Sequence, residues 1–129
     1  MVIDRPASAL PAATHDQHWP LAATRVVDGR VTPPIYVSLD VAERIVRGAN
    51  PPYSAPALAG IMVPRVVGRA IAHELAHLLL DTRAHTPRGL LQARFTADDL
   101  VSPVRDAFNL DPAQVALARR HHVLLASLR

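Results

Sequence analysis

The chain contains no cysteine and no lysine, only two glutamates, and aromatic residues at just 4%. Without cysteine there is no disulfide framework and no thiolate metal site, so His, Asp and Glu are the side chains left to bind a metal. The redox compartment stays open for the same reason. No run approaches the roughly 18 uninterrupted apolar residues of a membrane helix. Residues 1–30 lack a basic start followed by an apolar stretch, so no signal peptide is visible either. All 14 basic residues are arginine, and the net charge is +3. They are scattered, with few aromatics between them, whereas a nucleic-acid footprint is denser.

What is present is the composition of a globular protein: 129 residues, 50% hydrophobic and 19% charged, enough for one core and too little for two. Residues 1–20 are rich in Ala and Pro, carry His15, His18 and Trp19, and show no periodicity, so they read as an extended or poorly ordered arm. Residues 21–129 then form the single domain. Val26, Val27 and Val31 flank Asp28-Gly29, a pair suited to a tight hairpin turn. Ile35, Val37 and Leu39 alternate with Tyr36 and Ser38, which predicts a strand over 35–39. Ser38 or Asp40 then caps a short helix through Val41, Ile45 and Val46, ended by Gly48, with a loop over 49–60.

From Pro64, apolar residues recur at three- and four-residue spacing through Val66, Val67, Ala70, Ile71, Leu75, Leu78 and Leu79. This predicts a largely buried helix to about Leu80. Pro87 and Gly89 mark residues 83–95 as an irregular return loop. Thr96 with Asp98 and Asp99 signals a capped helix interrupted by Pro103, and Asp111-Pro112 starts a terminal helix. Val115, Leu117, Val123, Leu124, Leu125 and Leu128 are its expected packing residues.

Inside the strongest helix lies His73-Glu74-Leu75-Ala76-His77, a His-Glu-x-x-His pattern. Four residues along a helix amount to about 40° of azimuth and 6 Å of rise, so both imidazoles can converge on one ion at roughly 2.0 to 2.1 Å. Glu74 stands about 100° round from His73, where its carboxylate can take a proton from a water that the ion acidifies. From this chain's own His and Glu frequencies, the pattern arises by chance in roughly 0.6 per cent of such sequences. Coincidence is therefore a poor explanation.

A catalytic zinc usually takes three protein ligands, and the candidates downstream are Asp81, His85, Asp98 and Asp99. On a continuing helix Asp81 stands about 9 Å along the axis from an ion held between the two His. That is too far for its short side chain and leaves it a supporting role behind the ligands. His85 follows the helix end signalled by Thr82, Pro87 and Gly89 and is the preferred third ligand, with Asp98 or Asp99 from the next helix as the alternative. Tyr36 and Tyr53 are candidate oxyanion stabilisers, since a phenol is a neutral donor, although such tyrosines more often pack. His121 and His122 are adjacent and cannot both face one site from a helix. They read as surface or packing residues.

Through these residues the sequence resembles the zincin metallopeptidases. The stretch from Gly68 to Leu100, about a quarter of the chain, looks like a group of small bacterial zincin-like proteins. Those carry His-Glu-x-x-His-Leu-Leu, a further His, then Gly-Leu-Met; here the residues are His73 to Leu79, His85, and Gly89-Leu90-Leu91, followed by Thr96 to Leu100. The resemblance implies His85 as third ligand and a zincin-like sheet-and-helix fold, and it names no substrate. Ala76 replaces a Gly common in zincins and Leu91 replaces the Met beneath the metal, both packing changes. The metzincin pattern is not met, because Leu80 and Arg83 stand where it needs Gly and His.

Together these readings predict a small α+β domain, with a short β-sheet packed on the metal helix and C-terminal helices completing the core. One zinc ion per chain is expected, with Glu74 as the catalytic base acting on a peptide or protein substrate. A sheet edge beside the metal can align an extended peptide by strand addition. Two other classes compete: a zinc-binding module without catalysis that works through partner binding, and a helical interaction domain whose His residues are incidental and whose arginines contact acidic partners.

Overall fold

The structure, a computed structural model, describes residues 20–127, and within the last helix it leaves aside the side chains of 123–126. The expected arm, with His15 and His18, and the expected packing of Val123, Leu124, Leu125 and Leu128 thus lie outside the described residues. The elements are strands β1 (Ala22–Val27) and β2 (Arg30–Val37), then helices α1 (Leu39–Gly48), α2 (Ala59–Leu80), α3 (Ala97–Val101) and α4 (Pro112–Ser127). Short 3-10 turns occupy Pro56–Leu58 and Asp106–Phe108. The fold class is α+β, with one two-stranded antiparallel sheet. No helix of the described residues is long and apolar enough to cross a membrane.

Asp28 and Gly29 both have positive φ, 50° and 79°, which matches the twist of a tight hairpin to that of its strands. The return strand and the expected 35–39 strand are one element, β2, joined through Pro33 and Pro34. Thr24 pairs with Ile35 while its neighbour Arg25 pairs with Thr32, so the two prolines are left out of register. The cause is chemical: proline has no N–H to give the ladder, and a bulge is where a sheet tolerates it. The strand also stops earlier than its alternation predicts. Ser38 caps α1, accepting a hydrogen bond from the Val41 N–H at 3.3 Å, and Leu39 becomes the first helical residue.

The long helix starts at Ala59 rather than at Pro64, which lies inside it. A proline there forfeits one hydrogen bond to the Gly60 carbonyl. The extra turn compensates by burying Met62, only 6% exposed, in the core. The buried stripe of α2 runs Met62, Val66, Ala70, Glu74 and His77 at three- and four-residue spacing, so the His-Glu motif belongs to the inward face. Leu75 and Leu79, expected to be buried, point the other way and are 43% and 50% exposed.

Two apolar clusters flank this helix. Ala42 and Val46 of α1 and Leu100 and Val101 of α3 pack on Met62 and Val66. Further along, Leu90 and Leu91 pack with Ala76 and Leu80, joined by Leu117 and Ala118 of α4. The sheet lies against α2 but has no buried residue of its own, because two strands are too narrow to cover a core. Helix starts are strongly specified. Thr96 and Asp99 form a capping box on α3, and Asp111 and Gln114 exchange reciprocal 2.8 Å bonds at the head of α4.

Candidate metal centre

α2 ends one turn after His77, and its ending builds the site. Asp81 closes the helix in the left-handed conformation, φ 45° and ψ 48°. The chain reverses, the Thr82 N–H bonds the His77 carbonyl at 3.1 Å, and the His77 Nδ1–H donates to the Thr82 carbonyl at 2.8 Å. Beyond this turn His85 folds back, its ring centroid 5.0 Å from that of His77 and 5.5 Å from that of His73. One nitrogen from each of His73, His77 and His85 lies within 4.8 Å of the others.

His73 is oriented by a second carbonyl, that of Leu90, which accepts from its Nδ1–H at 2.6 Å. Gly89 makes this possible. It has φ 85°, and a Cβ on it would stand 2.8 Å from the Asn109 carbonyl oxygen. With no side chain there, the Leu90 N–H donates to that same oxygen at 2.9 Å, and the next carbonyl along the chain, that of Leu90, faces His73.

The tautomers follow from these bonds. A carbonyl can only accept, so both Nδ1 atoms carry the proton, and in the neutral rings both Nε2 atoms present lone pairs. Those two Nε2 atoms are 3.0 Å apart. Facing lone pairs at that distance repel unless a proton or cation lies between them. Three imidazoles, two of them fixed by carbonyls through the other nitrogen, are a donor set that could hold a metal ion. Burial pushes the His73 pKa below its usual 6.5, against the opposing pull of the Leu90 carbonyl. The ring is thereby kept neutral, the form that ligates.

Glu74 is only 8% exposed, and its Oε2 accepts a 3.0 Å hydrogen bond from the Thr24 hydroxyl of β1. Thr24 sits at the bulge opposite the prolines. The carboxylate, the three imidazoles and β1 border one open cleft of about 920 Å³, with Val26, Val31, Val41, Ile45, Arg83 and Arg94 also lining it.

The remaining sequence candidates are engaged elsewhere. Asp81 pairs with Arg30 of the hairpin at 3.0 Å, so it supports the site through its backbone turn rather than through a bond to an imidazole. Asp98 accepts from the Asn50 N–H at 2.8 Å, which with the Asn50 side chain draws its pKa below the usual carboxylate value. Asp99 accepts from the Thr96 N–H at 2.9 Å. Tyr53 packs on the first apolar cluster and Tyr36 pairs with Ala23 in the sheet, and neither lines the cleft. His121 donates through Nδ1 to the Leu79 carbonyl at 2.8 Å, away from the three converging imidazoles.

Sequence reasoning did not find Thr24, Arg83 or Arg94. Thr24 lies fifty positions before Glu74 in a strand whose local pattern carries no chemical signal, and the two arginines look like ordinary loop charges. Comparison with protein-family models, curated proteins and solved structures finds no match to this chain. The case for function therefore rests on the donor set and its surroundings.

Proposed function

We propose that this chain is a zinc-dependent metallopeptidase of zincin type, in which His73, His77 and His85 hold one zinc ion and Glu74 is the general base. The observation that carries the reading is the convergence of three imidazoles beside a buried carboxylate in one open cleft. A zinc ion held there would supply Lewis acidity to a water molecule and to the scissile carbonyl, with the fourth coordination position left for them.

The chain's own groups do the rest. The Glu74 carboxylate takes the proton of the attacking water and returns it to the departing amine. The Thr24 hydroxyl holds one oxygen of that carboxylate, leaving the other to reach the proton. β1 pairs only with β2 among the described residues, and its remaining edge offers backbone groups to an extended peptide lying in the cleft.

The test pairs metal content with turnover. Protein reconstituted with zinc should hold about one ion per chain. Glu74→Gln keeps the size of the side chain and one acceptor, so it should retain zinc while peptide hydrolysis falls by on the order of 10² to 10⁴. A parent protein that binds zinc and cleaves no peptide is the zinc module that works through partner binding. Zinc content near zero sinks both readings.

A further inference from the structure

The cleft carries a charge pattern that the hydrolytic chemistry does not use. Three arginines line it. Arg69 is committed to the fold, donating to the Asp99 and Val104 carbonyls at 2.6 Å and stacking over Phe108. Arg83 and Arg94 are exposed, and their guanidinium groups have no hydrogen bond or ion pair with any described residue. Among the described residues the only carboxylate lining the cleft is Glu74, which is buried and bonded to Thr24. No acidic side chain among the described residues of the cleft thus neutralises the two guanidinium groups. Arg30, close by on the hairpin, shows the contrast, because it is paired with Asp81.

We infer that Arg83 and Arg94 select peptides bearing carboxylates, on acidic side chains or at a free C-terminus. This rests on the cleft being the peptide site proposed above. Arg83 is two residues before His85, and Arg94 adjoins Phe95, whose ring packs 6.1 Å from that of His73. Both are exposed and line the same cleft as the three imidazoles, within reach of a residue flanking the scissile bond. A guanidinium meets a carboxylate with two parallel N–H donors, a geometry that discriminates against the neutral amide. Val26, Val31, Val41 and Ile45 also line the cleft, so a substrate with acidic and apolar residues matches its lining. A nucleic acid fits less well: Phe95, the aromatic residue of the cleft, is stacked on Phe108 at 4.7 Å, and two arginines do not track a phosphate backbone.

Binding tests the inference without relying on turnover. Fluorescence anisotropy on the full chain carrying Glu74→Gln would compare three blocked octapeptides of aliphatic sequence: one with two central Gln and an amidated end, one with two Glu, and one with Gln and a free carboxyl end. At low salt the Glu peptide, the free-acid peptide or both should bind about tenfold more tightly than the Gln amide, since exposed charge pairs contribute up to roughly fivefold each. Which of the two gains identifies the carboxylate that is read. Arg83→Gln with Arg94→Gln should abolish the difference while leaving the Gln amide unchanged. Equal binding of all three peptides overturns the inference, as does a single-stranded oligonucleotide of the same charge that binds better than any of them. If the preference is present and the parent chain hydrolyses nothing, the carboxylate site stands and the peptidase reading fails.

Discussion

Gly89→Ala offers the sharpest probe of how the site is held, because the perturbation lies outside the ligands and its effect passes through one carbonyl. The new Cβ would stand 2.8 Å from the Asn109 oxygen, closer than real Cβ contacts come, on a residue whose φ of 85° already disfavours a side chain. Backbone held in such a region costs about 1–3 kcal/mol. The contact is with backbone and cannot be relieved by a rotamer change, so a loss of about 2–4 kcal/mol is expected. For a domain of this size that lowers Tm by on the order of 10 °C. Relief requires the 89–90 peptide to move, which stretches the Leu90 bond to Asn109 and displaces the carbonyl that orients His73. Zinc affinity should then fall by about 10- to 100-fold, the usual effect of losing a partner behind a ligand. Competition with a chromophoric chelator, run well below the lowered Tm, measures this separately from unfolding. Gly68→Ala is the control: it sits on α2 with nothing within 4 Å of the added Cβ, and it should raise stability by up to about 1 kcal/mol with zinc affinity intact. Unchanged Tm and affinity in Gly89→Ala would refute the role given to this turn.

Three further outcomes are expected. His85→Ala should weaken zinc binding far more than Asp81→Ala, since only His85 brings a nitrogen to the cluster; chelator competition that ranks them equal would remove His85 from the ligand set. Leu91 is 2% exposed, so Leu91→Ala should cost about 2–5 kcal/mol in urea denaturation, whereas Leu91→Met conserves volume and should cost less than about 1.5 kcal/mol. The Asp98 pKa is depressed by its bonds to Asn50, so the stability it contributes is complete above its unfolded pKa of about 4 and is lost as pH falls through the lower folded value. Stability measured between pH 5 and pH 2 should therefore fall less steeply in Asp98→Asn, and an unchanged slope would show that the bond contributes nothing.

Elements specified by local chemistry are legible in the amino-acid sequence alone. Asp28-Gly29 suits a tight turn, Thr96 with Asp98 and Asp99 signals a capped helix start, and the His-Glu-x-x-His spacing places two imidazoles on one helical face. Expectation and fold part where a tertiary effect outweighs the local rule. Pro64 is a good helix starter, but the burial of Met62 favours a helix that begins five residues earlier. Leu75 and Leu79 satisfy helical periodicity as well as Val66 and Ala70 do, and only the positions of α1 and α3 decide which stripe is covered. Thr24 and the cleft arginines Arg83 and Arg94 escape the sequence for another reason. Their meaning comes from what they face, and a single strand or loop does not contain that information.

The segment from Thr82 to Leu90 supplies three parts of the site at once: the His85 ring and the two carbonyls that set the tautomers of His73 and His77. It is anchored at both ends by backbone, through the Thr82 N–H to the His77 carbonyl and the Leu90 N–H to the Asn109 carbonyl, and across its middle by the Thr86 N–H to the Leu91 carbonyl. If this loop opens, the His85 ring leaves and the helical imidazoles lose their orientation in the same event. On the zinc reading proposed above, ion binding and loop closure are coupled, and an ion that binds only the closed form stabilises it by about 4.1 kcal/mol at a thousand times its dissociation constant. The helix contributes two of the three imidazoles, yet it is the left-handed turn at Asp81 and the side-chain-free turn at Gly89 that bring the third beside them and set their orientation.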